Sequence, residues 1–309
     1  MLTTRDLFFG VGLPALVGCV LFVVARIAPL LFLRATGNRL PTGAAGLGVL
    51  ATTRRDASPF ALVLGYLVAE NLLRGRPSVP PADAAQTLYF ALLVLGLLSA
   101  AYECRGGAAW RFYLPISLAL VLLPTVWLLV RPLAEHAWNR TEAAAWIGGL
   151  CLAAIAMTVA LDRLFAGRPG VGASAGLVLV LSLAAPVLAM SGTKTYGQLA
   201  ASGAAALFPG VAAAAAGWTG GFSRRMAPAF VLLLGGMLLT GHLLANLTVT
   251  NAVLLLLAPL AMWIDRLSIV GHWAAWQRGA LALVAAALPA GAAVALAAQK
   301  FLEDMASGY

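Results

Sequence analysis

Ionisable and strongly polar side chains are rare in this chain. The few that stand inside apolar runs are where any chemistry would have to be done. The stretch GYLVAENLLRGR, residues 65–76, sets Glu70 and Asn71 about one turn ahead of Arg74. A charge at membrane depth costs about 2.5–3.5 kcal/mol on insertion scales, which makes Glu70 a candidate proton carrier or cation ligand. Its i,i+4 spacing to Arg74 offers the competing reading of an ion pair that simply neutralises it. The stretch MLLTGHLLANLTVTNAVLLLLAP, residues 237–259, places His242 and Asn246 four apart as well. On one helix face they would bind a polar solute or relay a proton, because histidine titrates near neutrality. A histidine hydrogen-bonded to a neighbouring helix backbone is the competing reading. Glu135 and His136 form a third acid–base couple, but no nucleophile or metal-ligand spacing accompanies them, and a solvated loop is the simpler account. Glu70, Asn71, His242 and Asn246 are therefore the candidate binding residues. No catalytic set, metal site or cofactor is expected.

The composition identifies the solvent these residues face. Of 309 residues, 62% are hydrophobic and 10% are charged. Soluble domains carry about 25% charged residues, so lipid rather than water is expected around this chain. The formal charge of +9 comes from basic residues standing singly or in pairs between apolar runs, as membrane-flanking anchors do. No basic block of the kind that tracks phosphates is present, so nucleic acid is not an expected partner. The expected partners are the bilayer and other membrane subunits. Arginine outnumbers lysine 18 to 2, and alanine, glycine and proline abound, which points to a GC-rich bacterial source. The sequons at Asn139 and Asn246 then carry no meaning. Cys19, Cys104 and Cys151 are far apart inside apolar runs and read as small packing residues, neither bridged nor zinc-binding. The apolar run near the N-terminus exceeds the usual signal core of about 7–15 residues, so a leading transmembrane helix is expected.

A span needs about 20 predominantly apolar residues. Ten runs qualify or come close: 7–25, 58–73, 86–104, 112–130, 143–164, 171–190, 196–217, 227–246, 250–264 and 279–298. The prediction is an all-α bundle of about ten spans, with residues 1–309 as a single integral membrane domain and no soluble domain. Residues 26–57 are read as an interfacial or re-entrant segment. Residues 265–278 are read as an interfacial amphipathic helix striped by Leu267, Val270, Trp273 and Trp276. Alternate connections carry thirteen and seven basic residues; the richer set should face the cytoplasm, leaving both termini periplasmic at a bacterial inner membrane. The uncharged turn NLTVTN, residues 246–251, then falls outside.

RRDASPFALVLG at 54–65 and RRMAPAFVLLLG at 224–235 share a pattern that a parallel internal repeat would produce, and so would chance in so Ala- and Leu-rich a chain. Prolines at 14, 115, 124, 186, 209, 259 and 289 fall in or beside the runs, where they kink helices or are merely tolerated. Small-residue tracts such as QLAASGAAALFPGVAAAAAG permit close helix contact. No Walker loop, dinucleotide-binding glycine pattern, HExxH or serine elbow occurs.

The stretch RGRPSVPPADAAQTLYFALLVLGLLSA, residues 74–100, with its Pro-Pro-acidic turn ahead of an Ala/Leu span, resembles uncharacterised multi-span membrane proteins of planctomycete-type bacteria. That resemblance implies a polytopic membrane fold and no particular activity. Ten spans in this length also matches drug/metabolite transporters in size alone. Two functions stay open: a non-enzymatic subunit or scaffold of a membrane complex, and a permease for a neutral or weakly polar small molecule.

Overall fold

The computed structural model describes residues 8–35, 58–81, 83–105, 110–136, 138–167, 170–217 and 221–307. A π-helical turn at Phe8–Gly12 leads into α1, Leu13–Ala35. There follow α2 (Ser58–Arg74), α3 (Ala84–Arg105), α4 (Trp110–His136), α5 (Arg140–Gly167), α6 (Val171–Met190), α7 (Lys194–Ala215), α8 (Met226–Leu244) and α9 (Val249–Ala261). Short 3-10 turns at Met262–Arg266 and Ser268–Val270 connect α9 to α10, Ala275–Ala306. The fold is all-helical among the described residues, and each of the ten apolar runs falls on a helix. Six segments are long and apolar enough to cross a bilayer: α5 to α8, α9 with its 3-10 extension, and α10. Shorter apolar stretches occupy Phe8–Val24, Ala84–Leu98 and Leu118–Arg131.

Two boundaries differ from expectation. Helix α1 continues to Ala35, so residues 26–35 extend the first helix, while 36–57 lie outside the described residues. Residues 265–278 do not form one amphipathic helix. The chain leaves α9 as 3-10 turns, and Trp276 already belongs to α10. Leu267, Trp273 and Trp276 are exposed but Val270 is buried, so the stripe is split. Its three-residue spacing matches the 3-10 period better than the α period of 3.6.

Packing follows from which helices are apolar all round and which carry small residues. Helix α8 is the innermost, with 72% of its apolar window buried, as a helix without a polar face must be. Helix α5 lies at the rim with 17% of its window buried. On α4, Ile116, Leu120, Leu123 and Trp127 are exposed at spacings of four, three and four, an outward apolar stripe along one face. Close crossings rest on glycine. A Cβ on Gly18 would lie 2.1 Å from the Ala206 carbonyl oxygen of α7, and one on Gly172 would lie 2.4 Å from Cα of Gly279 on α10. Only hydrogen fits at either place.

Cross-links gather the connections at two ends. At one, Asn246 N donates to Ser191 O at 3.1 Å, and Lys300 Nζ donates to Asn246 O at 3.3 Å. These join the α6–α7 and α8–α9 turns to the C-terminus of α10. At the other, Phe222 N donates to Ser174 Oγ at 2.8 Å, and Arg224 pairs with Asp162 across 62 residues of chain.

Candidate functional site

The first centre stands where α2 ends and α3 begins. Glu70 is 1% exposed, and its Oε1 accepts from Arg74 Nη1 at 3.2 Å, the predicted i,i+4 pair. The sequence did not show that Arg74 is shared. The same guanidinium also holds Asp83 bidentately, with Nη1 at 3.2 Å from Oδ1 and Nη2 on Oδ2. Asp83 in turn caps α3 by accepting from Gln86 N at 3.0 Å. Two carboxylates therefore divide one cation, and Glu70 Oε2 is buried with no hydrogen-bond partner among the described residues. Burial works against ionised Asp83, but the hydrogen bond from Arg74 and the backbone N–H of Gln86 more than offset it and hold its carboxyl below the usual range.

Aromatic hydroxyls surround this centre. Asn71 Nδ2 donates to Leu67 O at 2.8 Å and to the Tyr89 hydroxyl at 3.1 Å. The buried Tyr66 hydroxyl donates to Ala85 O at 3.3 Å, tying α2 to the first turn of α3. Tyr196, at the start of α7, is half-buried on the same side, within the electrostatic reach of Glu70, Arg74 and Asp83 and near Thr240 of α8. Glu70 and Asn71 thus belong to one centre, assembled from α2, α3, α7 and α8.

His242 and Asn246 do not share a helix face. Helix α8 ends at Leu244, and Ala245 is extended with φ −140° and ψ −179°, so Asn246 has left the helix face on which the pairing depended. His242 is exposed; its Nδ1 lies 2.9 Å from Leu247 O and closes the end of its own helix. Asn246 instead lines a cavity of about 350 Å³ formed with Met190–Gly192, Asn251 and the last turns of α10. Asn251, Lys300 and Asp304 supply its remaining strongly polar groups. Asn251 is 3% exposed and its Oδ1 has no hydrogen-bond partner among the described residues. Its backbone N–H is occupied by the Thr248 hydroxyl, the N-cap of α9.

Glu135 accepts from Arg131 Nε at 2.6 Å in an exposed i,i+4 pair, and the His136 side chain lies outside the described residues. Sequence reading missed Asp83, Tyr89, Tyr196, Asn251, Lys300 and Asp304. Lys300 carried a signal, as one of only two lysines in the chain. The others are brought in by tertiary contacts between distant helices. No family model matches this sequence, and neither curated proteins nor solved structures give a match, so the roles of these residues rest on their geometry alone.

Proposed function

We propose that this chain is a ten-crossing integral membrane protein of the bacterial inner membrane that acts as a cation- or proton-coupled permease for a small polar solute. Glu70 is its coupling group. The observation that carries this reading is the buried, half-satisfied Glu70 carboxylate beside a guanidinium already engaged by Asp83. An unpaired carboxylate oxygen in an apolar bundle is costly, and such groups in membrane helices mark ion and proton paths. Asn71, Tyr89 and Tyr196 would furnish the polar lining around it.

Charge distribution supports the orientation. With ten crossings, one end carries thirteen basic and four acidic residues, and the other carries seven of each. The whole formal charge of +9 then sits on one side, which by the positive-inside rule is cytoplasmic. Glu70, Asp83 and the Asn251 cavity fall on the neutral, periplasmic side with both termini. The exposed 265–278 connection, with its two tryptophans, falls at the cytoplasmic interface.

A second reading, a subunit of a larger membrane complex, has its own observation. Helix α5 is the least buried of the six long apolar helices, and Cβ atoms on Gly148 and Gly149 would meet nothing within 4 Å, a small-residue face open to another helix. One preparation tests both. Protein reconstituted in liposomes with a trapped pH dye is challenged with sodium, small amines and amino acids. A solute-driven pH change that Glu70→Gln abolishes, while folding is retained, supports the permease. Tolerance of that variant, together with stoichiometric co-purification of another membrane protein, supports the subunit.

A further inference from the structure

We propose that Glu70 Oε2 binds a proton rather than a metal cation, and that loading this proton hands Arg74 over from Glu70 to Asp83. The inference rests on the reading of Glu70 as the coupling group and deepens it by naming the ion.

The choice of ion follows from room and from ligands. Oε2 is buried and has no hydrogen-bond partner among the described residues. A proton adds one O–H bond to that atom and needs no cavity beside it. A hard metal cation needs about six oxygen ligands around it. The oxygens gathered near Glu70 are already engaged. Its own Oε1 and both oxygens of Asp83 accept from Arg74. The Tyr66 hydroxyl donates to Ala85 O at 3.3 Å, and the Tyr89 hydroxyl accepts from Asn71 Nδ2 at 3.1 Å. The guanidinium itself fills the place between the two carboxylates that a bridging metal would take. Loading is a simple transfer: a proton from water forms an O–H bond to Oε2 and leaves by the same atom, and no electrons change hands.

The handover follows from charge. With Glu70 ionised, Arg74 Nη1 divides itself between Glu70 Oε1 and Asp83 Oδ1, each at 3.2 Å, while Nη2 lies on Asp83 Oδ2. A neutral Glu70 attracts the guanidinium far less, whereas Asp83, with its side chain 38% exposed, keeps its charge and its two contacts. The charged and titratable groups in reach of Glu70 among the described residues are Tyr66 and Arg74 on α2, Asp83 ahead of α3 and Tyr196 on α7. Tyr89 of α3 joins them through Asn71. Tyrosines are neutral where a carboxyl titrates, so Arg74 and Asp83 set the proton affinity of Glu70, with opposite signs.

The test uses the full chain in liposomes and a lipid-soluble carbodiimide, which couples to a carboxyl in its protonated form. Peptide mass spectrometry reads the adduct on Glu70 across pH, in sodium or in choline chloride. Labelling that falls as pH rises and is the same in both salts upholds the proton. Arg74→Met should raise the pH of half-labelling by at least about one unit, and Asp83→Asn should lower it by less. These opposite movements mark the handover, because a merely structural role would carry both variants the same way. Protection of Glu70 by sodium at constant pH, absence of labelling at every pH, or movement of both variants in one direction overturns the inference. Sodium protection together with sodium-driven solute uptake overturns it while the permease reading stands. The expected labelling without uptake of any solute upholds the proton site and removes the permease reading instead. Should Arg74→Met fail to fold, the comparison of salts and Asp83→Asn decide the matter alone.

Discussion

Removing Arg74 should expose how the Glu70 centre is held together. In Arg74→Met, Glu70 loses the one cation it touches while remaining 1% exposed. Stranding one member of a fully buried pair costs about 3–5 kcal/mol; with the Arg74 side chain 32% exposed the cost is discounted to the bottom of that range or just below it, about 2–3 kcal/mol. The Asp83 arm is worth less, because its side chain is 38% exposed and such pairs contribute about 0–1 kcal/mol. Asp83→Asn keeps an oxygen for the Gln86 N–H and so removes the charge without removing the cap. The expectation is therefore asymmetric. Arg74→Met should lower the thermal unfolding midpoint in detergent by about 4–6 °C, taking about 2 °C per kcal/mol for a large domain, and Asp83→Asn by about 2 °C or less. The decisive member is the double variant Glu70→Gln/Arg74→Met. It removes the stranded charge along with its partner and should recover most of the loss. If the double variant is as unstable as Arg74→Met, or if Asp83→Asn costs as much as Arg74→Met, the reasoning from buried, shared charge is wrong.

Two further outcomes follow from the same geometry. Asp83 is held below the usual carboxylate range, so its contribution is present above its unfolded value of about 3.9 and is lost as pH falls through its lower folded value. Acid titration of the unfolding midpoint should show the wild type falling below about pH 4, with a shallower fall in Asp83→Asn. Glycine contact should also be directional: Gly172→Ala drives a Cβ to 2.4 Å from Gly279 Cα and should cost about 1–3 kcal/mol, whereas Gly279→Ala meets Gly172 at 3.4 Å and should be tolerated in the same assay.

Apolar run length carried the fold, and polar placement did not carry the site. The ten runs predict helices because a helix satisfies the backbone groups of an apolar segment internally, and six of the helices are long and apolar enough to cross a bilayer. Where the signal was periodicity rather than length, it misled. The three-residue spacing through Leu267, Val270, Trp273 and Trp276 reads as a helical stripe but is spent on 3-10 turns and the start of α10. The i,i+4 rule served Glu70–Arg74, where the helix is continuous, and failed for His242–Asn246, where it stops at Leu244. The rule presumes helix on both sides of the pair, and a lone Asn after Leu-Leu-Ala gives no warning that the helix has ended.

The two centres differ in why sequence could or could not find them. Glu70 is conspicuous because a carboxylate in an apolar run is rare, and its local partner lies four residues on. The Asp83 share of Arg74 depends on a turn that folds α3 back against α2, and Tyr196 arrives from a helix more than a hundred residues away. The Asn251 cavity is assembled wholly by tertiary contact: Ser191, Asn246 and Lys300 are joined by two hydrogen bonds spanning 55 and 54 residues. None of these groups is unusual where it stands in the chain. Asn251 in the first turn of α9 is an ordinary residue for a helix start, and Lys300 near a helix C-terminus is an ordinary complement to the dipole. Their significance appears only when burial is counted: the Asn251 side chain, placed where water should satisfy it, has been covered by the end of α10. A polar group that local structure explains, but tertiary structure then deprives of its partner, is invisible to pattern reading and prominent in the fold.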